Sequence, residues 1–121
     1  MYNLHQEPCP IGIAFQLEYM LDSDEDIILV IKQKRIFKIQ PEYLVATKKR
    51  LVFCVPNADG DDLCLHEYIW EYISKCKIIN KTTFSILSIK LISGVEITTK
   101  YLSKKRAVIL NNYINSMIVV K

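Results

Sequence analysis

The chain has 121 residues, half of them hydrophobic, with three Gly, four Pro and a formal net charge of +3. This length and composition predict one domain spanning 1–121 around one core, and they exclude a disordered, collagen-like or linker-rich chain. The charge is too small for an obligate nucleic-acid binder, and apolar runs such as Ile27 to Ile31 fall far short of the roughly 20 residues that cross a bilayer.

Taken in chain order, Met1 to Pro8 lacks the positively charged start and apolar stretch of a secretory signal, so a cytoplasmic location is expected. Ile13, Leu17, Met20 and Leu21 recur at spacings of three and four, which predicts a short amphipathic helix in an N-terminal extension, 1–22, that ends at the acidic turn Asp22 to Asp26. From Ile27 the pattern turns to β. Ile28 to Ile31, Arg35 to Ile39, Tyr43 to Thr47 and Leu51 to Val55 read as successive strands, the last two folded over the basic tip Lys48, Lys49, Arg50.

Pro56 to Asp62 is the strongest loop signal. Its three carboxylates lack the closing Glu of an EF-hand loop, so it reads as a solvated turn. Leu63 to Ile69 predicts a strand, followed by a short turn with Trp70 and Tyr72, then strands at Lys75 to Ile79, Thr83 to Leu91 and Val95 to Thr99, the last two joined through Ser93 and Gly94. All the strands fall within 27–100. Over 103–118, Ala107, Leu110, Ile114 and Met117 return to helical spacing, with Ser103 as a candidate N-cap. This closing helix must bury its stripe against the sheet, as a plug for an open barrel end, because an isolated helix of its length is marginal.

Cys9, Cys54, Cys64 and Cys76 include no CxxC pair and are expected to be free, buried thiols. Cys64 with His66, and His5 with Cys9, are the nearest approaches to metal spacing, and neither has a second convergent pair, so no metal or cofactor is expected. No nucleophile with a base in reach and no glycine-rich phosphate cradle is present, so the chain is read as a non-enzyme. His66 is read as a surface or edge-strand residue, with Glu67 on the opposite face.

The pattern of a helix, about seven antiparallel strands and a C-terminal helix, with Thr47-Lys-Lys-Arg-Leu-Val-Phe53 at its centre, resembles the bacterial pleckstrin-homology-like (PH-like) domains. In those domains a strand ending in Thr, a polar-basic turn with Lys-Arg, and a strand opening Leu-Ile/Val-Phe/Tyr recur. Ile69-Trp-Glu-Tyr-Ile73 and Gly94-Val-Glu-Ile97 add to the likeness, which covers roughly Leu21 to Ile118. The resemblance implies a mainly β (α+β) fold: a partly open PH-like barrel of two near-orthogonal sheets capped by the C-terminal helix, often oligomeric and without established catalysis.

Two surfaces follow as candidates. Tyr68, Trp70 and Tyr72 are too many large rings for one small core to bury at a strand-to-turn passage, and they are expected to form an aromatic contact for a protein partner or a second copy. A sheet edge, or the groove between sheet and terminal helix, would supply the pairing. The alternative partner is an anionic membrane surface, met by Lys32, Lys34, Arg35 and Lys38 with the tip Lys48, Lys49 and Arg50, if the two groups lie side by side.

Overall fold

The computed structural model describes residues 11–34, 41–56 and 63–119. The order of elements is helix α1 (Ile11–Met20), strands β1 (Ile27–Lys32), β2 (Tyr43–Thr47), β3 (Arg50–Pro56) and β4 (Leu63–Ile69), a one-turn 3-10 helix at Trp70–Tyr72, strands β5 (Ile73–Asn80), β6 (Ser85–Leu91) and β7 (Glu96–Leu102), and helix α2 (Lys104–Val119). The strands form two antiparallel sheets, β1-β2-β3-β4 and β5-β6-β7, which do not close into one. The expected strand Arg35 to Ile39, the loop over 57–62, and His5 and Cys9 lie outside the described residues.

The inner faces of the two sheets and one side of α2 share the main core. Leu29, Ile31, Leu44, Ala46, Leu51 and Phe53 come from the first sheet, Cys76, Leu87, Ile89 and Leu102 from the second, and Ala107, Leu110 and Ile114 from the helix. The stripe predicted for α2 is the one it buries. Ser103 caps it, its hydroxyl accepting from the Arg106 N–H at 3.2 Å.

A second cluster explains why β2 and β3 are apolar at successive positions. Leu17 of α1, 2% exposed, covers Val30, Tyr43, Val45, Val52 and Cys54 on the other face of the first sheet. That sheet is therefore buried on both sides, and all five residues of β2 are inside. The N-terminal helix is a structural layer laid on its own chain.

The sheets meet at one corner through a bulge in β7. Tyr101 sits at φ 61°, a left-handed conformation that costs a bulky residue on the order of 1 kcal/mol. Its carbonyl accepts from the Lys34 N–H at 2.7 Å, and its ring lies 4.7 Å from that of Phe84. Gln33 Nε2 donates to the Lys100 carbonyl alongside, which ties the end of β1 to β7.

One core position is polar without a partner. Thr99 is 1% exposed, and its hydroxyl makes no hydrogen bond among the described residues. Thr99→Val keeps the shape and removes the unpaired group, so it is expected to be neutral or to stabilise by about 1 kcal/mol, read as a raised Tm. A lowered Tm would show that the hydroxyl is bonded.

Candidate interaction surface

The β2–β3 tip is organised by Thr47, which is fully buried. Its hydroxyl donates to Glu25 Oε2 at 2.6 Å and accepts from the N–H groups of Lys49 and Arg50, both at 3.1 Å. Its carbonyl accepts from the Trp70 indole at 3.0 Å and from the Tyr113 hydroxyl at 3.1 Å. A short side chain with both donor and acceptor capacity, placed two and three residues before the N–H groups it receives, is what this turn needs.

The acidic turn after α1 folds onto this tip. Arg50 grips Glu25 with two bonds, Nη2 to Oε1 at 2.8 Å and Nε to Oε2 at 2.9 Å, and reaches Glu67 at 3.3 Å. The Glu25 side chain is 1% exposed and that of Arg50 12%. Burial alone would raise the Glu25 pKa, but the Thr47 hydroxyl, the Asp22 amide and the Arg50 guanidinium outweigh it and hold it below the usual carboxylate range. Lys49 pairs with Asp22 at 2.6 Å at the surface, and the hydrogen bond and charge of each partner lower the Asp22 pKa and raise that of Lys49.

Among the described residues, the basic positions singled out in the sequence are therefore not one patch. Lys32 is opposite Tyr43 and Ile27 is opposite Thr47, so Lys32 and Lys34 lie at one end of β2 and the Lys48–Arg50 tip at the other, about 14 Å away along the strand. Lys49 and Arg50 are taken up by carboxylates, Lys48 is exposed, and the Lys34 ammonium donates to the Thr83 carbonyl at 2.9 Å. Arg35 and Lys38 lie outside the described residues.

The aromatic trio also separates. Trp70, expected at the surface, is 3% exposed and belongs to the main core, where its ring meets Tyr113 edge-on at 5.9 Å. The 3-10 turn directs it inward, and Thr47 satisfies its N–H. Tyr68 is half-buried against Phe53, ring centroids 5.7 Å apart. Tyr72 alone is open, at 54%. Its carbonyl accepts from the Ile92 N–H at 2.9 Å, which brings it to the β6–β7 hairpin, where Ile92 and Val95 are 64% and 56% exposed. Ile92 was missed because it falls in the predicted turn, and Val95 because it was read as the first residue of the following strand. The available signal was apolar residues flanking Gly94, which takes φ 95° there.

The sheet edges differ in protection. The ends of β1 and β7 are joined through Lys34 and Tyr101, and α2 reaches β5 through Asn115 Nδ2, 3.5 Å from the Cys76 carbonyl. β4 pairs with β3 on one side, and among the described residues no backbone bond is made along its other edge. Cys64, His66 and Glu67 are exposed on it. Cys64 thus departs from the expectation of buried thiols: an edge strand has no layer over its free side. Cys54 and Cys76 are buried, and burial pushes the Cys76 thiol up to about 12, leaving it protonated and unreactive at neutral pH. Among the described residues no three metal-ligating side chains converge, and no helix is long and apolar enough to cross a membrane.

Two open antiparallel sheets closed over by a C-terminal helix, with a Thr-centred tip between β2 and β3, agree with a comparison to known families, in which the model of the bacterial PH domain matches residues 21–116. The chain belongs to the bacterial PH domain family. No curated protein matches it. Membership suggests a binding or interaction module, since PH-like domains are generally non-catalytic, and the match begins at Leu21, so α1 lies outside the matched region.

Proposed function

We propose that this bacterial PH domain is a non-enzymatic assembly module whose β4 edge pairs with β4 of a second copy across a two-fold axis. The open edge of β4 carries this reading. Main-chain pairing there satisfies the free N–H and C=O groups of a seven-residue strand, and antiparallel pairing of like strands is self-complementary. Tyr72, three residues beyond the strand, stands beside Ile92 and Val95 as an apolar anchor at its end.

Light scattering tests it. The wild-type chain is expected to have the mass of a dimer, unchanged by raised salt, because backbone pairing and apolar burial are little screened. His66→Lys places a charge on the exposed edge and is expected to give a monomer with the wild-type Tm. A wild-type chain that stays monomeric at all concentrations, or a dimer indifferent to His66→Lys and Tyr72→Ser, sinks the proposal.

A further inference from the structure

The outer face of the second sheet has no covering element among the described residues, whereas the first sheet has α1 over its own. Register defines what this face carries. Lys75, Lys90 and Glu96 are opposite one another across the three strands, and Lys77, Ser88 and Thr98 form the next row. Lys100 follows on the same side of β7 by alternation. All four lysines are exposed. The one carboxylate on the face, Glu96, accepts from the Ser88 hydroxyl at 2.7 Å. Asp22, Asp24 and Glu25 of the α1–β1 turn are occupied elsewhere, on Lys49 and Arg50 at the first sheet.

We infer that this face is a docking surface for an anionic lipid bilayer, at a site separate from both the β2–β3 tip and the β4 edge. The charge is complementary to such a surface, and its form favours a bilayer over other polyanions. Lysines supply mobile point charges on long stems, with no arginine forks to bind phosphate bidentately. The two lysine rows hold no aromatic residue to stack bases, as a single-strand nucleic-acid site requires, and the Phe84–Tyr101 pair, 4.7 Å apart, lies past Ile86 at the end of the sheet. A three-stranded sheet offers a broad surface to a plane. Ile79 and Ile86, paired at the far end of the same face, give an apolar margin next to the lysine stems.

Each lysine near an anionic membrane contributes about a five-fold gain in affinity. The test is co-sedimentation of the full chain with phosphatidylglycerol vesicles, with phosphatidylcholine vesicles as the neutral control. The wild-type chain is expected on the anionic vesicles alone and to be released by raised salt. Lys77→Glu with Lys90→Glu is expected to weaken binding at least about 20-fold, while Lys48→Glu with Lys105→Glu, the same change in net charge away from the face, alters it by less than about three-fold. Circular dichroism confirms that both variants fold. Equal losses in the two pairs would reduce the effect to net charge and overturn the inference. So would absence of wild-type binding to the anionic vesicles, or equally tight binding to RNA or polyglutamate. Because these lysines are remote from His66, the light-scattering result on β4 is independent of this one.

Discussion

Replacing Arg50 by methionine is expected to destabilise the fold by about 3 kcal/mol, read as a fall of roughly 1.5 M in the urea midpoint. Methionine keeps most of the apolar stem, so the loss isolates the charge. The reason is what remains behind: Glu25, with 1% of its side chain exposed, keeps a carboxylate in a site whose main neutralising partner has gone. The value is at the lower end for a broken buried pair because the Arg50 side chain retains 12% exposure and also meets the half-exposed Glu67. Adding Glu25→Gln removes the orphaned charge while keeping an acceptor for the Thr47 hydroxyl. The double variant should recover more than about 1 kcal/mol of the loss. A double variant as unstable as Arg50→Met alone would show that Arg50 acts through packing.

The same pair sets a dependence on pH with a definite sign. The Glu25 pKa is lowered in the folded state, so its stabilisation is fully present above the ordinary glutamate value of 4.5 and is lost as pH falls through the lowered one. Arg50 stabilises the charged form of Glu25. The gap between wild type and Arg50→Met should therefore be widest near neutrality and narrow below about pH 4.5, measured by urea unfolding across that range. A gap independent of pH would remove Glu25 from the explanation. Lys49 with Asp22, both about half exposed, adds little, since a surface pair is screened and entropically costly.

Local pattern was enough to read most of the elements. The two-sided hairpin around Lys48–Arg50, the strands from Leu63 onward and the helix from Ser103 follow from β-branched runs, Gly and Pro punctuation and a return to 3.6-residue spacing. What the chain does with its charges was not legible, because it depends on contacts between segments far apart. Asp22 to Asp26 and Lys48 to Arg50 each look like solvated tips until the fold brings them together. The lysines of β5, β6 and β7 have the opposite character: scattered in sequence, they gather on one face only once the register places Lys75 opposite Lys90. Trp70 was misplaced for a related reason. A ring at the end of a strand looks exposed unless the following turn is known to swing it into the core. The apolar continuity of β2 and β3 did hold a clue, since a strand with no polar side requires a cover on both faces, and α1 is that cover for the first sheet.

Trp70→Ala is expected to cost about 4 kcal/mol, the range for deleting a fully packed large aromatic, as a loss of thermal stability followed by far-UV circular dichroism. Two contributions are separable. Trp70→Phe keeps most of the ring and its edge contact with Tyr113 but deletes the indole N–H, for about 1 kcal/mol. Tyr113→Phe deletes the other side-chain donor to the same Thr47 carbonyl at similar cost. In either single variant one donor remains; in the double both are gone from a carbonyl whose residue is fully buried. The double loss should therefore exceed the sum of the singles by about 1 kcal/mol, and strict additivity would show that the carbonyl is not shared. The position matters beyond stability. This one oxygen joins the β2–β3 tip, the turn that carries Tyr72, and α2, so loosening it should also release the Tyr72 corner and weaken the proposed self-association of a chain that still folds, as Trp70→Phe is expected to do.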